Sequence, residues 1–165
     1  MAEITKDGET QLVVFALDQE EFACDINNVG EVLKMVRITP LPRSIEFVEG
    51  VINLRGEVIP VIDLRKRFNM EVVERTAESR IIIVEVDDRM FGLTVDSVSE
   101  VARLPNDHIQ DAPAQVAAGR SHLIMGVGKM DNRMLIILNI DQLLSTDEQM
   151  ALDEVKKDGG EISAK

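Results

Sequence analysis

The chain has no tryptophan, no tyrosine, one cysteine and two histidines in 165 residues. Each scarcity removes a class of function. Five phenylalanines are its only aromatics, so it lacks the ring platforms on which single-stranded nucleic acids stack, and its core has to be aliphatic. Thirty acidic against eighteen basic side chains leave a net charge of −12. Sequence-independent attraction to phosphate backbones or anionic lipid is therefore no driving force for binding, and no nucleic acid partner is expected. The single cysteine, Cys24, has no intramolecular disulfide partner, and within "EFACDI" it reads as a small buried apolar residue. Long apolar runs are also missing. The longest aliphatic run, "MLIIL" at residues 134–138, is far too short to span a bilayer, and the opening "MAEITKDGET" is charged where a signal peptide needs apolar residues. The expectation is a soluble, cytoplasmic protein without membrane insertion.

Catalytic groups are equally sparse. His108 in "LPNDHIQDAP" reads as a solvated loop residue, and neither histidine has the spacing of a zinc site. Ser121-His122 lies in no Gly-x-Ser-x-Gly elbow. Gly50, Gly56, Gly126 and Gly128 form no phosphate-cradling loop. Asp18, Asp87 and Asp88 sit in tight turns, where aspartates satisfy local backbone donors. No catalytic, metal-ligating or cofactor-binding residue is expected. A small enzyme is the alternative, and it would need carboxylates converging in a deep pocket with raised pKa values.

Isoleucine and valine dominate the periodic segments, and turn residues recur at short spacing, which makes the chain mainly β. "QLVVFAL" and "FACDI" around "DQEE" read as a hairpin, "EVLKMV" as a third strand, and residues 44–48 as one helical turn. "GVINLRGEVIPVIDLRKRF", residues 50–68, reads as two strands joined by an Arg55-Gly56 turn. Pro60 has no N–H, so its strand needs a ladder edge, bulge or barrel corner there. The unbroken apolarity of "VIPVI" implies cover on both faces.

The second half repeats the first. At an offset of 69, "VVFALDQEEFACDINNVGEV" falls on "IIVEVDDRMFGLTVDSVSEV", pairing Phe22 with Phe91, Val29 with Val98, Glu31 with Glu100 and Val32 with Val101. At an offset of 76, "GVINLRGEVIPVIDL" falls on "GVGKMDNRMLIILNI". Two similar five-stranded β units, each small for independent folding, are expected to pack together, with the repeat junction near residues 75–80. Phe15, Phe22, Ile59, Ile83, Phe91 and Leu135 are expected to share one continuous core. "STDEQMALDEVKK" reads as a C-terminal helix, with Thr146 and Gln149 at capping-box spacing and Gly159-Gly160 as its stop.

What remains is binding, and Arg55 is its clearest candidate. Gly56 supplies the positive φ of a hairpin tip, and the arginine before it projects outward. Its planar fork either meets carboxylates or helix carbonyls at an apolar groove, or is a solubilising tip paired with Glu57 or Glu49.

These blocks resemble, in order and spacing, the CheW-type coupling proteins of bacterial chemotaxis, over residues 11–152. The residues that carry the likeness are "EFACDINNVGEV", "TPLPRSIEFVEGVINLRGEVIPVIDLRKRF", "FGLTVDSVSEV" and "GVGKMDNRMLIILNIDQLL". The resemblance implies two SH3-like five-stranded β-barrel subdomains over 11–152, with flexible tails at 1–10 and 158–165. It implies a non-catalytic adaptor, recruited to membrane-associated receptor arrays. Such an adaptor binds the cytoplasmic tip of methyl-accepting chemotaxis receptors and the regulatory domain of the CheA histidine kinase. The positions matching the family's receptor-facing groove include Val29, Glu31, Arg55 and Val101. Gly50 and Gly92 match places where the backbone turns or approaches closely, as Gly56 does at the hairpin tip. Val29 reads either as groove or as core by its period, and the Glu31/Glu100 repetition either as a turn requirement or as a binding rim. A peptide-binding β-barrel module outside chemotaxis is the second alternative.

Overall fold

Eleven strands and one short helix, α1, account for most of residues 8–41, 46–114, 122–144 and 148, which the computed structural model describes. In order they are β1 (Glu9–Leu17), β2 (Glu20–Asp25), β3 (Val29–Lys34), β4 (Val48–Leu54), β5 (Glu57–Asp63), α1 (Leu64–Arg67), β6 (Arg80–Val86), β7 (Arg89–Val95), β8 (Ser97–Pro105), β9 (Ile109–Gln110), β10 (Ile124–Met130) and β11 (Arg133–Leu138). Three-residue 3₁₀ turns precede β3, follow β8 and follow β11. β1 begins at Glu9, paired with Pro105, so residues 9 and 10 are strand where a tail was expected. The helical turn expected over residues 44–48 lies partly outside the described residues, and at Val48 the chain is already β4. The expected C-terminal helix lies outside them almost entirely.

The strands form two packed sheets, ordered β8-β1-β2-β11-β10-β9 and β3-β6-β7-β5-β4. Neither sheet is one half of the sequence. The hairpin β1–β2 leaves its own repeat and is completed by β8 and β11, while β6–β7 is completed by β3 and β5. The strand counts are six and five, the extra one being the two-residue β9. This exchange preserves the register of the duplication. Glu31 opposes Ile83 as Glu100 opposes Val14, and Val61 runs parallel beside Gly92 as Ile137 does beside Ala23. The Asp63 N–H donates to the Phe47 carbonyl at 2.8 Å, and the Asn139 N–H to the Leu123 carbonyl at 2.8 Å.

The core is divided, because strands with both faces apolar have two sides to bury. Phe15, Phe22 and Phe91 belong to the cluster between the sheets, with Ile62, Ile82 and Leu93. Ile59 and Ile83 lie in a second cluster with Ile52 and Ile81, and Leu135 in a third with Leu12 and Val14. The six residues expected to share one continuous core therefore fall into three of four clusters, the fourth being Leu41, Val51 and Val58. β5 shows the reason: Ile59 and Val61 face their own sheet's interior while Ile62 turns to the other sheet. Pro60 opposes Val51, and the parallel ladder to β7 begins only at Val61, so its missing N–H interrupts no bond on that side.

Candidate functional site

The tip between β4 and β5 has positive φ at both central residues, 51° at Arg55 and 87° at Gly56. Two left-handed residues suit the right-handed twist of flanking strands, so the turn takes this form although arginine, unlike glycine, is strained there. Gly56 alone was expected to carry the positive φ. The Gly56 N–H donates to Asn53 Oδ1 at 2.8 Å and stiffens the tip.

Arg55 pairs with neither Glu57 nor Glu49. Its guanidinium donates to the Glu31 carboxylate on β3. β3 and β4 are the two ends of the five-stranded sheet, so the pair draws opposite edges together and curls the sheet on itself. Beneath it Leu33 and Met35, following Glu31, pack on Ile52 and Ile59. The hydrogen bond from Arg55 holds the Glu31 carboxyl below its ordinary pKa and raises that of the arginine. The arginine side chain is still 70% exposed, which leaves its fork within reach of a partner.

The other sheet has its own clasp. Arg133, at the start of β11, donates to Glu100 on the edge strand β8 at 2.9 Å and to both oxygens of Glu21 on β2 at 2.9 and 2.6 Å. Those bonds raise the arginine's pKa and hold Glu21 low. The repeated glutamate thus marks the edge strand to which a hairpin arginine returns. The repeat alignment concealed this, because Arg133 lies at the position of Glu57 and not of Arg55. Two residues along, the same charge reaches the same edge.

Val29 is half-buried against the core between the sheets, on the same strand as Glu31. Val101 stands on β8 of the other sheet, 54% exposed, and its repeat counterpart Val32 is 41% exposed. The structure therefore joins Glu31 to Arg55, sets Val29 beside them along β3, and places Val101 on the partner sheet. Val32, Glu21 and Arg133 were not singled out from the sequence. Two of the three glycines are close approaches. A Cβ on Gly50 would lie 2.1 Å from the Thr39 carbonyl oxygen, and one on Gly92 2.8 Å from Ile81 Cγ2. Gly56 opens to free space and is needed for its φ alone. Cys24 is fully buried, with burial pushing its thiol up to about 12. His108 is exposed in the 3₁₀ turn after β8, as a loop residue would be.

Among the described residues no helix is long and apolar enough to cross a membrane. Residues 11–148 match the family described as the CheW-like domain. The chain is 34% identical over 153 residues to the chemotaxis protein CheW of Klebsiella aerogenes, covering 91% of this chain and 92% of that one. It is 36% identical over 146 residues to CheW of Bacillus subtilis, covering 88% and 93%. The crystal structure of the scaffolding protein TtCheW from Thermoanaerobacter tengcongensis matches with a TM-score of 0.77 at 41% identity, over 84% of this chain and 90% of that one. A repeat preserved in register, two arginine clasps and matches that span most of the chain agree, and the protein belongs to the CheW family of chemotaxis scaffold proteins.

Proposed function

We propose that this chain couples chemotaxis receptors to the CheA histidine kinase by binding both, and catalyses no reaction itself. The cytoplasmic hairpin tip of a methyl-accepting receptor is one ligand and the kinase's regulatory domain the other, so the adaptor works where receptors are arrayed at the membrane. One observation carries the reading: Glu31 and Arg55, 24 residues apart, form one exposed charged pair at the rim of a sheet. Such a pair fixes the orientation of a helix whose apolar face packs beside it, in the helix-in-groove manner. Val29 and Val101 supply apolar surface on the two sheets.

Bridging requires that both partners bind at once. The test is a sedimentation or size-exclusion experiment with this chain, a receptor hairpin fragment and the CheA regulatory domain at saturating concentrations. A ternary species is the expected result. Strict mutual competition would overturn the bridging mechanism, and binding of unrelated peptides in place of both would favour a module outside chemotaxis.

A further inference from the structure

The duplication lets each half be read against the other. The offsets of 69 and 76 place Asp63, Arg65, Asp96, Thr94 and Glu49 over Asn139, Asp141, Asn27, Asp25 and Met125. In the first set two guanidinium groups are bound. Arg65 is 6% exposed, and its Nε and Nη2 donate to Asp96 Oδ1 and Oδ2 at 2.9 and 2.5 Å, while Nη1 donates to the Glu71 carbonyl at 2.7 Å. Arg75 pairs with Glu49, reaches Asp63 Oδ2 at 3.6 Å and donates to Thr94 Oγ1 at 3.3 Å. Three carboxylates and a hydroxyl, at the start of β4 and the ends of β5 and β7, thus form a receptacle for planar cationic forks.

In the second set the same positions line a partly open cavity of about 210 Å³. Its polar walls are Asp25, Asn27, Asn28, Asn139 and Asp141, and among the described residues no basic side chain lines it. Where the first receptacle has Arg65 the second has Asp141, and where the first has Thr94 the second has Asp25. Asp25 is 5% exposed, and one of its oxygens is fixed by accepting the Asn27 N–H at 2.9 Å. Two aspartates and three asparagines therefore line a space whose counterpart in the other half holds arginine.

We infer that this cavity is a binding pocket for a guanidinium group, delivered as an arginine side chain by a partner protein. A guanidinium meets carboxylate and amide oxygens through several directed N–H donors at once, which a compact ammonium cannot do. The volume exceeds the roughly 30 Å³ of one water and suits such a planar group better than a bare metal ion.

The test titrates the nitrogen-15-labelled full chain with N-acetyl-arginine amide, following backbone and side-chain amide shifts. N-acetyl-citrulline amide, of the same shape without the charge, and magnesium chloride are the controls. Saturable shifts at Asn27, Asn28 and Asn139 are expected with the arginine derivative in the millimolar range and not with either control. Asp141→Asn, at an exposed position, should weaken binding about tenfold by removing a charge-assisted acceptor. Met125→Glu restores the counterpart of Glu49 and should strengthen binding, an outcome that loss of folding cannot mimic. Any of three results overturns the inference: no saturable shift, an equal response to citrulline or magnesium, or affinity unchanged in both variants.

Discussion

Gly50→Ala and Gly56→Ala are the same chemical change at two glycines with positive φ, yet the structure sets them far apart. At Gly56, with φ of 87°, nothing lies within 4 Å of the new Cβ. The cost is the left-handed backbone alone, about 1–2 kcal/mol. At Gly50, with φ of 154°, the Cβ would lie 2.1 Å from the Thr39 oxygen and 2.7 Å from its carbonyl carbon. Backbone must move. Thr39 is held there by two bonds, its N–H to the Val51 carbonyl at 2.8 Å and the Val51 N–H to its own carbonyl at 2.9 Å. Losing both costs about 0.5–1.5 kcal/mol each, added to a conformation that is essentially glycine-only. With about 1–3 kcal/mol for that conformation, the sum is about 2–6 kcal/mol, a large part of the roughly 5–15 kcal/mol that stabilises a domain. Urea unfolding followed by far-ultraviolet circular dichroism is the assay, since the chain has no tryptophan to report. The expected order of midpoints is parent, Gly56→Ala, then Gly50→Ala well below. If Gly50→Ala unfolds at or above the midpoint of Gly56→Ala, the close approach to Thr39 does not constrain the fold and the reasoning fails.

Arg55→Glu places a second carboxylate opposite Glu31, so affinity for a receptor hairpin fragment should fall about tenfold in a titration, with the melting curve little changed, whereas Gly56→Val should lower both. Parental affinity in Arg55→Glu would reduce the arginine to a solubilising tip. Glu21 has a folded pKa below its unfolded one, so its pairing with Arg133 stabilises the chain above the ordinary glutamate pKa, and that contribution is lost as pH falls through the folded value. The melting temperature of Arg133→Ala should lie below the parent's near neutral pH, and the gap should close below about pH 4. A gap of equal size at low pH would mean that Arg133 acts by packing and not by charge. Fragments 1–79 and 80–165 should each fail to fold cooperatively, because each sheet draws strands from both, and their mixture should regain the parental circular dichroism spectrum. A cooperative melt from either fragment alone would contradict the exchanged pairing.

Much of the site was legible as local pattern and little of it as geometry. The Arg55-Gly56 tip could be placed because an arginine and a glycine between two aliphatic strands leave few alternatives to a tight turn. Its partner could not, since Glu31 lies on another hairpin, and nearby Glu57 and Glu49 were the obvious candidates. Likewise the Glu31/Glu100 repetition was visible, but its meaning depends on Arg133, which sits two residues away from the arginine it matches in role. Val29 was ambiguous because period-2 alternation says that a face is buried and does not say against what.

Strand identity, the hairpins, the duplication and the glycine of the 55–56 turn were determined by the sequence itself, since each is a property of a few adjacent residues and their φ preferences; what Gly50 and Gly92 make room for, Thr39 and Ile81, is set by packing. The tertiary structure alone decided which sheet each hairpin joins. Offsets of 69 and 76 are equally compatible with two separate halves and with exchanged ones, because the same hydrophobic faces are presented either way. The exchange emerges only when β1 is laid between β2 and β8 and β6 between β3 and β7. Burial on both faces of these strands makes each sheet depend on the other half of the chain, and the same pairing carries Glu21 to Arg133 across 112 residues. A strand's sequence records how much of it is covered; the partner that covers it is chosen by the packing of the whole.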